Sequence, residues 1–245
     1  MNLGLMKRRR GVGKSLSTKD YVQDGLVAMW DGIENIGIGK HSNTATEWVD
    51  LTGNGRDMQL INDAYFNANS IVAEGHPVAE YTNSIPLEQH ITQEIVFKVD
   101  SDVRDNTSSR TVIAFFGSTI YNSGYNFCMT GFAYNRNNIS KSGWMVKTDA
   151  IVQVNSLYIP KTAICSTIIY SENNKIGAKP KRIIINGTAL VCNATDGWAN
   201  NSQINRLGST FSGNIYAVRI YNRALTEDEI SKNFELDKER FGLNI

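Results

Sequence analysis

Apolar and polar residues alternate in short runs along most of this chain, and only near its end does the period lengthen to that of a helix. The run from Phe211 to Leu225 reads as a strand. Tyr216, Val218 and Ile220 fall on one face of it and Ile215, Ala217, Arg219 and Tyr221 on the other, so one side is apolar and the other mixed. That pattern predicts a strand lying between a core and a partly wet surface. A helix follows directly: Thr226 can cap its first amides while Glu229 reaches back, and Leu225 can staple onto Ile230. Ile230, Phe234, Asp237 and Phe241 share a stripe. Glu227, Asp228 and Glu229 sit at the positive end of the helix dipole, Lys238 and Arg240 near the negative end, and Gly242 stops the helix.

Upstream the pattern predicts strands alone. Gly25 to Asp31 is a short apolar run, and Glu47 to Asp50 resembles another. Between Asp50 and Asp57, Gly53 and Gly55 flank Asn54 in a tight reversal whose amides Asp50 can bind. From Ile91 onward the chain predicts strands at Glu94 to Val99, Thr111 to Phe116, Tyr125 to Met129, Trp144 to Lys147 and Ala163 to Tyr170. Arg182 to Val191 then reads as a hairpin turning at Asn186-Gly187. Strands at this spacing with no helical period between them predict an antiparallel sandwich.

Composition changes the picture little. The 245 residues hold 25 basic and 24 acidic side chains, so nothing electrostatic points to nucleic acid as a general partner. No run approaches a membrane span, and no apolar segment follows the basic start as it would in a secretory signal. Cys128, Cys165 and Cys192 lie in or beside apolar runs and read as buried, reduced thiols. The sequence divides into a flexible basic arm, residues 1–20, and one domain, residues 21–245. Lys7, Arg8, Arg9 and Arg10 mark the arm as a docking element for an acidic partner or nucleic acid within an assembly. The following Gly11 to Ser15 fails as a phosphate loop, because Arg8 stands where the first glycine is needed.

Three landmarks, in order along the chain, carry a family resemblance. They are Gly25 to Asp31 with Asp50-Leu-Thr-Gly-Asn-Gly55, the Ile183-Ile-Ile-Asn-Gly187 hairpin, and Gly213 to Leu225 with Glu229-Ile230. Together they resemble the laminin-G-like, concanavalin A-like jelly-roll family over residues 21 to 242. The resemblance implies an all-β sandwich of two antiparallel sheets in a jelly roll, with the C-terminal helix laid against it. The family spans carbohydrate-binding modules, adhesion domains, calcium lectins and fibre proteins of bacterial viruses. Some members carry acidic residues where this chain has Tyr216 and Ala217, which argues against calcium-dependent lectin chemistry here. Asp50, Asn54 and Asp57 offer oxygens of the kind calcium takes, although the turn already accounts for them.

Candidate chemistry is sparse. Glu235-Leu-Asp-Lys-Glu239 matches the E-x-D-x-E string of hydrolases of this fold, but in a helix a spacing of two residues turns carboxylates about 200° apart. These charges read instead as a solvated helix face. His41, His76 and His90 are scattered without metal-site spacing. Glycan binding needs aromatic platforms beside amide groups, and the loops carrying Tyr121, Tyr125, Trp144 and Trp198 have that composition, whereas Trp30 and Trp48 read as core. The sequence thus favours a non-catalytic structural or attachment module. The expected setting is a bacteriophage virion, assembled in the cytosol with other structural proteins and presenting a glycan-binding surface. The alternative is a carbohydrate-binding, lectin-like module of a bacterial surface protein, at the cell surface or outside it, and a glycoside hydrolase or lyase of the same fold ranks third.

Overall fold

The computed structural model describes residues 16–74, 78–86, 91–99, 111–116, 130–134, 143–145, 151–152, 164–170, 180–190, 203–207 and 212–245. Strands follow in the order β1 (Leu26–Asp31), β2 (Glu47–Trp48), β3 (Met58–Leu60), β4 (Tyr65–Phe66), β5 (Ile71–Glu74), β6 (Ala79–Pro86), β7 (Ile91–Val99) and β8 (Thr111–Phe116). Next come β9 (Thr130–Tyr134), β10 (Gly143–Met145), β11 (Ile151–Val152), β12 (Ile164–Tyr170), β13 (Pro180–Ile185), β14 (Thr188–Leu190), β15 (Gln203–Leu207) and β16 (Ser212–Tyr221). Helix α1 (Glu227–Phe241) closes the order, and a short 3-10 turn (Thr18–Asp20) opens it. The class is the one the alternating pattern predicts: antiparallel β throughout, with one C-terminal α-helix among the described residues.

Hydrogen bonding joins β14-β13-β12-β7-β16-β5-β4 into the largest sheet, with β1 also on β16; β11-β10-β9-β8 and β15-β6-β3-β2 form two smaller ones. β16 is the hub. It runs along β7 on one side, while β5 covers the first half of its other edge and β1 the second. Its pairing with β7 slips between Ile215 and Ala217, and this bulge turns both Tyr216 and Ala217 toward the helix, where they cluster with Phe241.

The large sheet is buried on both faces around β16. Trp30, Ile95, Phe97, Val218 and Ile220 fill one side, and Trp48, packed edge-on against Phe66 at 5.9 Å, lies in the same core. Both tryptophans are buried, as their apolar runs predict, with Trp30 Nε1 donating to the Arg56 carbonyl and Trp48 Nε1 to that of Asp31. The opposite face carries Glu94, Val96, Cys165, Thr167, Ala217, Arg219 and Tyr221, and it is not the partly wet surface expected. Arg219 is 1 % exposed and Tyr221 fully buried, because α1 and the Ser17–Asp24 segment are laid across them. Ser17 caps the 3-10 turn in a capping box with Asp20, and Thr18 is buried, so these residues of the predicted arm pack on the body.

Both ends of the helix follow the local chemistry of the sequence. Thr226 Oγ1 accepts from the Glu229 amide, Glu229 accepts in return from the Thr226 amide, and Leu225 meets Ile230 beneath the cap. Gly242 ends α1 at φ 62°, a left-handed conformation that a side chain would strain. At the hairpin, Asn186 and Gly187 take φ of 47° and 75°, the pair of positive values a two-residue turn with the sheet's twist requires. Asn186 also ties the turn inward: its amide donates to the Cys165 carbonyl, and its Oδ1 accepts from the Cys165 amide at 2.8 Å.

Candidate functional site

Of the residues predicted to bind glycan, Tyr121, Tyr125 and Trp198 lie outside the described residues. Trp144 is in β10, opposite Phe132 and Val152, with only its backbone placement described. Lys7, Arg8, Arg9 and Arg10 also lie outside, as do Cys128, Cys192, His76 and His90. The charged groups the structure does bring together form a sealed seam between α1 and the large sheet.

Arg219 is its centre. Its Nε donates to Glu94 at 2.7 Å, and its two terminal nitrogens donate to Asp237 at 2.8 and 2.6 Å, a bidentate geometry that matches guanidinium to carboxylate. Its guanidinium lies 4.2 Å from the Tyr21 ring centre, and the Tyr21 hydroxyl donates to Asp237. Asn233 donates to Glu94 and to the Tyr221 hydroxyl while accepting from the Val22 amide. Six side chains from β7, β16, α1 and the N-terminal segment thus satisfy one another. A cavity of about 10 Å³ beside them, lined in part by Glu94, Cys165, Thr167 and Phe234, has room for about one water.

A second cluster adjoins the first. Arg240 reaches Asp31 at 2.9 Å and Glu34 at 3.4 Å, and Thr18 donates to Glu34 at 2.6 Å. Asp31 Oδ1 further accepts from the amides of Ile33 and Glu34, but its Oδ2 and the Arg240 Nε are buried without a hydrogen-bond partner. The two clusters hold four carboxylates against two guanidiniums. Burial pushes Asp31 up to about 6, against the pull of Arg240, and burial raises Glu94 as well. Arg219 is held protonated more firmly than usual, since Asp237 and Glu94 together outweigh the desolvation that opposes its charge. Burial also raises the thiol of Cys165, which is free and inert where it sits, as the sequence predicts.

The solvated helix face expected for Glu235 to Glu239 holds only at its two ends. Glu235 is exposed and bridges to Lys238 at 3.1 Å, and Glu239 is exposed, but Asp237 is buried on the seam because it falls on the Ile230 and Phe241 stripe. A carboxylate on the apolar stripe of α1 and an arginine alternating with Ala217 and Tyr221 are the sequence signals for this pair. The seam can hold the sheet, helix and N-terminal segment in register; with its charges paired and enclosed, it presents none of them to a substrate.

The Asp50 turn is likewise occupied. Asp50 Oδ1 accepts from the amides of Met29 and Thr52 and from the Thr52 hydroxyl, Oδ2 accepts from the Arg56 amide, and Asp57 accepts from the Asp50 amide. Among the described residues no group of three or more His, Cys, Asp or Glu side chains is arranged to hold a metal. No described helix is long and apolar enough to cross a membrane.

No model of a known protein family matches the chain, nor does any curated protein. Solved structures do share the fold. Domain 4 of AbnA, a GH43 extracellular arabinanase from Geobacillus stearothermophilus, in complex with arabinotriose, aligns with 87% of this chain and 99% of its own at a TM-score of 0.51 and 14% identity. The receptor binding domain of botulinum neurotoxin D aligns with 86% of this chain and 52% of its own, at 0.53 and 15%. Trypanosoma rangeli sialidase aligns with 88% of this chain at 0.58 and 16%, and this chain spans a third of that protein's length, 33%. At these identities the likeness establishes an all-β fold shared with modules of larger proteins.

Proposed function

We propose that this chain is a non-catalytic carbohydrate-binding module built on a laminin-G-like jelly roll. One observation carries the reading: a domain that is matched along 99% of its length was solved in complex with arabinotriose. The sequence supports it, since Tyr121, Tyr125, Trp144 and Trp198 stand beside asparagines in loops with the composition sugar recognition requires. The non-catalytic part of the reading is supported by the sequence, whose E-x-D-x-E string falls in a helix and whose histidines lack metal-site spacing. The role in a bacteriophage particle gains nothing from the similar structures, so the glycan-binding module takes precedence over it, with cell-surface or extracellular glycans as partners.

A glycan array probed with the purified chain, with and without calcium, tests the proposal. Saturable binding to at least one oligosaccharide is expected, weakened by Trp198→Ala or Tyr125→Ala in a protein that still unfolds cooperatively. A blank array under both conditions overturns it, and release of reducing sugar from a bound glycan overturns its non-catalytic part.

A further inference from the structure

The helix-bearing face of the large sheet continues past the C-terminal end of α1. There register places Tyr65, Val72, Asn214 and Lys98 in one row across β4, β5, β16 and β7. The next row, Phe66, Ile71, Ile215 and Phe97, is buried in the core, so alternation turns the first row to the other side. Asn214 confirms the direction, because its Nδ2 donates to the Ser70 hydroxyl, two residues before Val72, at 2.9 Å. Adjacent strands lie about 4.8 Å apart, so the row spans roughly 14 Å. Tyr216, its ring tilted against that of Phe241 at 5.5 Å, separates it from the helix.

The residues of this row suit one kind of ligand. Tyr65 is 50% exposed on a two-residue strand at the sheet's edge, one of three large exposed apolar side chains among the described residues. Asn214 uses only its amide nitrogen, leaving its side-chain oxygen as an acceptor. Lys98, half-buried at the far end, makes no ion pair with the described residues, and an ammonium offers three donors and no acceptor. Glu74, an exposed acid of this face, lies two strands from Lys98 and two rows away, opposite Ser212. A ring face, an amide and a cation in line match a sugar chain that carries a carboxylate.

We infer that this row binds a short acidic oligosaccharide, with one sugar ring stacked on Tyr65, hydroxyls on Asn214 and a carboxylate on Lys98. The inference rests on the carbohydrate-binding reading and gives it a place and a charge, separate from the aromatic loops. Titration calorimetry of the full chain with trigalacturonic acid and a hyaluronan tetrasaccharide, against maltotriose and arabinotriose as neutral arms, tests it. At least one acidic ligand is expected to bind more tightly than either neutral one, and less tightly as salt rises. Tyr65→Ala is expected to weaken it about tenfold. Lys98→Met is expected to weaken it similarly and to flatten the salt dependence, while Lys98→Arg retains both. Thermal unfolding of each variant, expected to be unchanged, separates lost binding from lost fold. Binding that ignores Tyr65→Ala and Lys98→Met, or that favours the neutral sugars, overturns this inference and leaves the module standing. If no oligosaccharide binds by calorimetry or on the array, both readings fall.

Discussion

Arg219 lies in the middle of the molecule, touching two carboxylates and an aromatic ring, and removing it leaves Glu94 and Asp237 buried and unpaired. Breaking one member of a buried pair costs about 3–5 kcal/mol, so Arg219→Met is expected to lower the unfolding free energy by that amount, read from the fall of the denaturant midpoint. Arg219→Met combined with Glu94→Gln and Asp237→Asn is expected to recover much of the loss, since no unpaired charge remains. Asp31 makes a pH prediction. Its unfolded value is 3.8 and its folded value about 6, so between these the folded state holds the proton more tightly. Stability from this group is therefore highest below about pH 4 and falls as pH rises to 6, by roughly 3 kcal/mol in total. Asp31→Asn is expected to remove that slope in a series of urea melts. Glu229 has the opposite sign: the hydrogen bond from Arg223 holds it at about 2, so its contribution is present above pH 4.5 and fades as the pH falls toward 2.

Elements whose cause is local were legible in the sequence. The Thr226 and Glu229 capping box, the Gly242 stop and the Asn186-Gly187 turn each need only residues a few positions apart, and each stands where the pattern puts it. Thr226→Ala is expected to cost about 1 kcal/mol in thermal or chemical unfolding. The strands Met58–Leu60, Tyr65–Phe66, Ile71–Glu74 and Gln203–Leu207 were not legible, because they are short and, apart from the local pairing of Tyr65–Phe66 with Ile71 and Val72, are held by strands elsewhere in the chain. Alternation in so few residues gives too little signal to separate a strand from a loop. The predicted mixed face of β16 misled for a related reason: hydrophobicity alone reads Arg219 as wet, whereas α1 supplies the carboxylate that lets it be buried.

For the whole molecule, the Ser17–Asp24 segment and α1 act as one cover over the large sheet. Tyr21 and the Val22 backbone bond to Asp237, Asn233 and Tyr221, and Thr18 bonds to Glu34, so the first described residues and the last helix depend on each other. Deleting the chain through Asp24 is expected to expose the seam and lower the unfolding midpoint sharply, and hydrogen exchange is expected to speed up along α1 and β16 together. The candidate site was legible only in kind. Aromatic and amide loops point to sugar from composition, but the Tyr65 to Lys98 row joins residues from four strands spread between positions 65 and 214, and its existence depends on register. By itself the sequence determined the all-β class, the capped helix, the hairpin and the buried tryptophans, because nearest-neighbour sterics, short-range hydrogen bonds and apolar periodicity act within a few residues. The tertiary structure alone decided which charges are buried, what closes the second face of β16 and which side chains share a row, because each depends on groups brought together from distant parts of the chain.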